Sequence, residues 1–124
     1  MVATVLVHGA DLMFLSRIQV QLEARGHDVR RVLEGQEPPG GDVAICDVER
    51  VDPAAAVALL RPAALLGFGS HLEPDAIVRA RSAGFDKVVA RSAIAERLPD
   101  LVDDLLADAP RTVPAESRRN RSPE

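Results

Sequence analysis

The sequence contains no tryptophan, no tyrosine and only three phenylalanines, so aromatic residues make up 2% of the chain. Proteins that grip single-stranded nucleic acid stack bases on aromatic side chains, and this chain has few such surfaces. It also lacks the surplus of basic residues that a general DNA-binding protein needs, because its formal net charge is -4 at pH 7. The composition therefore argues against nucleic acid as a partner of the folded part.

Cysteine and long hydrophobic runs are scarce as well. Cys46 is the only cysteine, which excludes an internal disulfide and any metal site built from several cysteines. It lies inside an apolar stretch, and we interpret it as a small buried core residue. No apolar run approaches the roughly 20 residues of a membrane-spanning helix, and residues 1–4 show no basic segment or cleavage signal. These features predict a soluble, cytoplasmic protein with no membrane partner.

What the chain does contain is a regular alternation of short apolar runs and helix-like spacing, within 124 residues of which 47% are hydrophobic. This is enough apolar material for one core. The predicted strands are Thr4–Val7, His27–Leu33, Asp42–Asp47, Ala64–Phe68 and Lys87–Ala90. The predicted helices are 12–22, 53–60, 74–83 and Leu98–Ala107, the last with Pro99 in its first turn. The pattern predicts an α/β fold with a mostly parallel sheet and helices on both faces.

Two segments depart from this alternation. The segment 34–41 is rich in glycine and proline, and it predicts a loop where a crossover helix would be expected. From Pro110 onward the sequence has almost no apolar content. We therefore predict a folded domain over 1–108 and a disordered tail over 109–124. Its four arginines could contact an acidic partner, although a solvated tail is the simpler interpretation.

Polar residues follow four of the predicted strands. Open α/β sheets bind ligands at the carboxyl ends of their strands, so these residues are expected in one neighbourhood. They are His8, Asp11, Asp47, Ser70, His71 and Arg91. Asp47 is the best candidate, because it closes an apolar run typical of a buried strand. It could accept a phosphoryl group, bind a metal, or accept hydrogen bonds from loop amides, and residue chemistry alone favours the last role.

Other chemistries find less support in the sequence. His8 and His71 could bind a transition metal with Asp11 and Asp47, but no short ligand spacing supports this. We interpret His8 as a satisfied strand-end residue and His71 as an exposed loop residue. The run 67–70, Gly-Phe-Gly-Ser, lacks the lysine and glycine spacing of a P-loop, so its glycines are expected to allow close turns. No set of acid, base and nucleophile can be assembled, and we expect no enzyme.

Several segments resemble the receiver domain of two-component response regulators, over about residues 3–107. The matching positions are Val5–Val7, 22–29, Asp47, Ser70 and 83–89, of which 83–89 is the most specific. The resemblance implies a flavodoxin-like three-layer sandwich with a five-stranded parallel sheet. It places Asp47 at the phosphoacceptor position and Ser70 and Arg91 at switch positions. It is a divergent, pseudo-receiver pattern, which implies a module for signalling or protein interaction.

The departures from the family pattern concern the phosphorylation chemistry. Gly9 and Ala10 stand where receivers have an acidic pair, which leaves Asp11 and Asp47 as ligands for Mg²⁺. Arg91 stands where the family has a lysine. The intervals around Asp47 are also too short for full second and third helices. We therefore expect no resident cofactor, and phosphorylation of Asp47 stays open.

The resemblance also implies partners. A histidine kinase, a downstream effector or a second copy of the chain would dock on the face formed by the third helix, the fifth strand and the last helix. Its apolar residues are Ile77, Val78, Ala80, Val88, Val89, Leu101, Val102, Leu105 and Leu106. The alternative is a flavodoxin-like protein that binds a small molecule or anion. In that case Ser70, His71 and Arg91 would bind the ligand and Asp47 would orient it.

Overall fold

The computed structural model describes residues 2–108, which form a five-stranded sheet and four helices. The strands are β1 (Thr4–His8), β2 (Asp28–Arg31), β3 (Val43–Asp47), β4 (Ala64–Gly69) and β5 (Lys87–Ala90). The helices are α1 (Leu12–Glu23), α2 (Pro53–Leu60), α3 (Pro74–Ala83) and α4 (Arg91–Asp108). The strand order is β2-β1-β3-β4-β5, and every neighbouring pair is parallel. The predicted flavodoxin-like α/β fold is confirmed.

The sheet separates two hydrophobic clusters because alternate side chains of a strand point to opposite faces. On one face Val5, Val7, Ile45, Leu66 and Phe68 pack with residues of α1 and α4. On the other face Leu6, Ala44, Cys46 and Leu65 pack with residues of α2 and α3. Cys46 is fully buried, and burial raises the pKa of its thiol to about 12. It is the core residue that the sequence predicted, and its thiol stays protonated at neutral pH.

The predicted helix starts are explained by local capping. The Asp52 side chain accepts a hydrogen bond of 3.0 Å from the N–H of Ala55, and Pro53 occupies the first turn of α2. Gly84 ends α3 with a φ of 125°, a conformation that favours glycine. Residues 32–42 contain no helix, as the glycine and proline content predicted. β2 is an edge strand in which only Val29 is buried, and it is shorter than predicted.

The last helix differs from the prediction. It was expected to begin at Leu98, but α4 begins at Arg91, directly after β5. Arg97 has non-helical dihedral angles (φ -134°, ψ 23°) and divides α4 into two helical parts. Pro99 lies in the first turn of the second part, where its missing N–H costs little. The first part was missed because it is short and because the fully buried Ile94 contacts the core, which local spacing does not reveal.

Other sequence interpretations have mixed outcomes. His27 is buried, and its Nδ1 accepts a hydrogen bond of 3.0 Å from the N–H of Ala3, so it joins the first strand to the end of α1. Gly67 and Gly69 lie within β4, so the prediction that these glycines allow close turns is wrong.

Within residues 2–108, no helix combines the length and apolar character needed to cross a bilayer. The tail predicted over 109–124 lies outside the described residues.

Candidate functional site

Asp47 is the last residue of β3 and is only 5% exposed. Its Oδ1 accepts a hydrogen bond of 2.9 Å from the N–H of Glu49. Burial raises the pKa of the Asp47 carboxyl, and the nearby Glu49 carboxylate adds to this effect. The Glu49 N–H and the charges of Arg50 and Arg91 lower the pKa in part. Asp47 is therefore a poorly solvated carboxyl whose charged form is incompletely compensated.

Asp11 and Arg91 form an ion pair beside this strand end. Asp11 is the N-cap of α1, where its Oδ1 accepts a hydrogen bond of 2.8 Å from the N–H of Phe14. Its other oxygen, Oδ2, lies 3.1 Å from Nη2 of Arg91. The hydrogen bond from the Phe14 N–H, followed by that from Arg91, lowers the pKa of Asp11. Both oxygens of the Asp11 carboxylate are therefore engaged within the protein.

Two aromatic residues, Phe14 and Phe68, support the Arg91 side chain. The guanidinium carbon of Arg91 lies 4.0 Å from the centroid of the Phe14 ring, a cation–π contact. Phe14 in turn packs against Phe68, with ring centroids 4.9 Å apart. Phe68 is fully buried in β4. The position of Arg91 is thus defined by the core as well as by Asp11.

Glu49 is a site residue that the sequence analysis missed. Its two carboxylate oxygens accept hydrogen bonds from the N–H groups of Ser70 (2.7 Å) and His71 (2.9 Å). The backbone of Gly69 lies against it, because a Cβ at Gly69 would be 2.8 Å from the Glu49 Cδ. The carboxylate thereby joins the end of β3 to the end of β4. The only signal in the sequence was its place two residues after Asp47.

The structure divides the predicted site residues between two cavities. Asp11, Ser70 and Arg91 line one cavity of about 930 Å³. His8 lines a different cavity of about 740 Å³, and Asp47 lines neither. His71 is exposed, as predicted, and takes part through its backbone N–H. Asp47 is nevertheless close enough to Arg91 for the arginine charge to lower its pKa.

His8 differs from the expectation for its hydrogen bonding. It was interpreted as a satisfied strand-end residue, but its buried Nδ1 has no hydrogen-bond partner among the described residues. The sequence could not show this, because a partner for a strand-end side chain comes from whichever loop packs above it. An unpaired buried polar atom is uncommon and needs an explanation.

Metal binding by Asp11 and Asp47 stays a prediction with little geometric support. Among residues 2–108, no group of three or more histidine, cysteine, aspartate or glutamate residues is arranged to hold a metal ion. Asp11 has both oxygens engaged, and Asp47 has one. Mg²⁺ prefers octahedral coordination by oxygen ligands, so these two carboxylates as arranged do not fit it.

The charge of Asp47 should make the protein less stable at neutral pH. An acid whose pKa is raised by folding binds its proton more tightly in the folded state, so stability falls as the pH rises above the unfolded value near 3.8. Asp47→Asn keeps an acceptor for the Glu49 N–H and removes the charge. We expect it to raise the free energy of unfolding at pH 7, with a smaller gain near pH 4, in urea titrations followed by circular dichroism.

Asp11→Asn is the matched control for this prediction. The pKa of Asp11 is lowered in the folded state, so the stability that it contributes is present above the unfolded value near 3.8 and is lost as the pH falls through the folded pKa. Asparagine still caps a helix, so the change isolates the charge. We expect Asp11→Asn to lower stability at pH 7. A lower stability of Asp47→Asn at pH 7 would contradict the prediction for the buried carboxyl.

Glu49→Ala should release the amides of Ser70 and His71. Hydrogen bonds to a charged group protect an amide from exchange, but solvent weakens those made by an exposed carboxylate such as this one. We therefore expect the hydrogen exchange of both amides to accelerate by about tenfold. Glu73→Ala is the control, since Glu73 is also exposed and makes no side-chain capping bond. Exchange is measured residue by residue by NMR. Equal rates in the wild type and both variants would contradict the bridging role.

The five-stranded parallel sheet with its strand-end site is similar in fold to the receiver domains of response regulators. Neither a protein-family model nor the sequence of a curated protein matches the chain. Solved structures do. A CheY-like receiver domain protein from Methanospirillum hungatei JF-1 superposes with a TM-score of 0.75 at 18% identity, covering 88% of this chain and 97% of that one.

Two further structures support the same fold. A response regulator from Thermotoga maritima gives a TM-score of 0.68 at 15% identity and covers 86% of this chain and 99% of that one. A response regulator from Burkholderia pseudomallei, solved with a phosphorylated aspartic acid, a calcium ion and citrate, gives a TM-score of 0.65 at 17% identity, over 85% of this chain and 74% of that one. The fold that the sequence resemblance implied is thus confirmed.

Proposed function

We propose that the chain is a divergent receiver-like signalling module, located in the cytoplasm, that acts by contacting another protein and has no enzymatic activity of its own. The observation that carries the proposal is the Asp11–Arg91 ion pair of 3.1 Å. It engages the acidic residue that lies between β1 and α1 and the cation that directly follows β5. The groups that would assist a phosphoryl transfer to Asp47 are thereby paired with each other.

The Glu49 bridge supports the same proposal. In a phosphorylated protein, the added phosphoryl oxygens need hydrogen-bond donors around the acceptor carboxylate. Here the N–H groups of Ser70 and His71 already donate to Glu49. The donors that a phosphoryl group would need are therefore already bound by Glu49. A partner would recognise this surface in a single state that does not depend on phosphorylation.

Phosphorylation at Asp47 is tested directly by mass. The purified protein is incubated with acetyl phosphate and Mg²⁺, and its intact mass is compared with that of Asp47→Asn treated in the same way. We expect no adduct on either protein, because Asp11 is engaged and Asp47 is buried. The contrary result would be an adduct of one phosphoryl group that is acid-stable, base-labile and absent from Asp47→Asn. It would make this a working receiver and overturn the expectation that the protein signals without phosphorylation of Asp47.

For partner docking we propose the face formed by α3, β5 and α4. Val78 on α3 is 62% exposed, and Ile77, Val88 and Val89 are partly buried. The apolar residues of α4 that were assigned to this face instead lie in the core; they are Leu101, Val102, Leu105 and Leu106. The docking surface would therefore centre on α3 and β5 with the polar side of α4 at its margin.

Sedimentation measurements test this face for self-association. Val78→Glu places a charge at its centre, and Val20→Glu on α1 is the control, because Val20 is similarly exposed at 72%. We expect Val78→Glu alone to weaken a dimer of the wild-type chain. If only Val20→Glu weakens the dimer, the interface lies on α1 instead. If the wild-type chain is monomeric, self-association is excluded and the partner of this face is a different protein.

A further inference from the structure

The cavity lined by His8 lies at the carboxyl ends of β2, β1 and β3. It measures about 740 Å³ and is bounded by the end of β1, the segment 31–36 after β2, the segment 50–52 after β3, and α2. This volume is in the range of small-molecule sites. Strand order reverses at β1, with β2 on one side and β3 on the other. Open α/β sheets bind ligands at such switch points.

Two unpaired cations line this cavity from different segments. Arg31 ends β2 and Arg50 follows β3. Within residues 2–108 neither side chain makes a hydrogen bond or ion pair, whereas Arg30, Arg61 and Arg91 each have an acidic partner. Arginine binds carboxylate, sulfonate and phosphate groups well because of its planar set of donors. The cavity thus offers two cations that have no ion-pair partner among residues 2–108, although the charge of Arg50 also acts on Asp47, whose pKa it lowers.

Two acidic residues also line the cavity, so the formal charges of its two arginines and two carboxylates sum to zero. Asp52 lines the cavity, but its side chain accepts a hydrogen bond from the N–H of Ala55 at the start of α2. Glu34 also lines it, and is exposed. An anion beside Arg31 and Arg50 would be attracted by these two side chains and repelled by Glu34 and Asp52. This predicts effects of opposite sign when these charges are removed.

The remaining walls supply apolar surface and an unpaired nitrogen. Leu33 and Leu59 line the cavity and are 44% and 40% exposed, which is unusual for leucine side chains in this chain. An apolar group bound there would remove their surface from water. His8 contributes the buried Nδ1 that lacks a hydrogen-bond partner. A polar ligand atom or an ordered water nearby would offset the cost of that unpaired atom.

We propose that this cavity binds a small organic anion, an oxyanionic group attached to an apolar body. Arg31 and Arg50 pair with the oxyanion, and Leu33 and Leu59 cover the apolar body. The cavity shares no lining residue with the cavity of Asp11, Ser70 and Arg91, and Asp47 does not line it. The proposal therefore stands or fails independently of the proposed signalling role.

The probe for this site is 8-anilinonaphthalene-1-sulfonate, which joins a sulfonate to an aromatic body. The chain contains no tryptophan or tyrosine, so the fluorescence of the probe is read without protein emission. We expect saturable binding to one site. Loss of charge in Arg31→Gln/Arg50→Gln should weaken binding about tenfold or more, and Glu34→Gln should strengthen it. Arg17→Gln, in the wall of the other cavity, should leave it unchanged.

Chemical-shift mapping on the wild-type protein identifies the site without any variant. With the probe bound, we expect the amide shifts of Gly9, Gly35 and residues 50–52, which line this cavity, to move, and those of residues 90–95 beside the other cavity to stay. Octanoate should displace the probe, and octanol should displace it less well. Each of three results would overturn the proposal: binding that does not saturate, shifts confined to residues 12–14 and 90–95, or equal binding by folded Arg31→Gln/Arg50→Gln and the wild type. Should that double variant fail to fold, the mapping and Glu34→Gln decide.

Discussion

Phe68→Ala will lower the free energy of unfolding by about 3–5 kcal/mol, the range for truncating a fully buried aromatic residue. Phe68 is 0% exposed in β4 and packs on Phe14, with 4.9 Å between the ring centroids. The cavity left behind cannot collapse easily, because β4 lies between two other strands. The measurement is urea unfolding followed by circular dichroism, since the chain has no tryptophan or tyrosine to report by fluorescence.

The same substitution should loosen the site. Phe14 supports the guanidinium of Arg91 at 4.0 Å, and Phe68 supports Phe14. We therefore expect the Arg91 side chain to become more mobile in NMR relaxation of its guanidinium nitrogens. Val78→Ala is the stability control, because an exposed valine should change the free energy of unfolding by less than about 0.5 kcal/mol. A loss of stability from Phe68→Ala no larger than this would show that the aromatic pair does not organise the core.

Gly67→Ala will destabilise the protein by about 1–3 kcal/mol through overpacking. A Cβ at this position of β4 would lie 2.7 Å from Cγ1 of Val48 and 3.1 Å from the ring of Phe85, both of which are buried. Because both side chains are buried, relieving these contacts requires a shift of their neighbours, of strand β4 or of the segment after β3. Since Gly67 pairs in register with Cys46, next to Asp47, the displacement would reach the site.

Gly40→Ala separates overpacking from the general effect of replacing glycine. A Cβ at Gly40 would meet no atom within 4 Å, and both substitutions restrict the unfolded chain in the same way. We expect Gly40→Ala to be neutral or slightly stabilising. Similar free energies of unfolding for the two variants, measured by the same urea titration, would refute the account of why β4 carries a glycine in its interior.

Much of the fold could be predicted because its signals are local. An N-cap aspartate followed by proline predicted the start of α2, and the polar composition of β2 indicated an edge strand. The loop between β2 and β3 followed from its glycines and prolines. The first half of α4 could not be predicted in this way. Its helical state depends on the contact of Ile94 with the core, which lies far away in the sequence.

The site was less predictable because its contacts join distant segments. The strand-end rule placed six polar residues in one neighbourhood, and three of them, Asp11, Ser70 and Arg91, line the same cavity. It did not reveal that Arg91 pairs with Asp11, 80 positions away, or that Glu49 bridges the amides after β4. Backbone N–H groups carry no sequence signal, so a carboxylate that binds them cannot be recognised before the loops are placed.

The sequence by itself determined the succession of strands and helices along the chain, the burial of Cys46 and the place of Asp47 at a strand end. These follow from hydrophobic period and capping, which act over a few residues. Only the tertiary structure decided which charges pair with each other and which, such as Arg31 and Arg50, have no ion-pair partner in the described part of the chain and line a cavity. Electrostatic pairing depends on distances of a few ångströms between segments, and parallel crossovers set those distances.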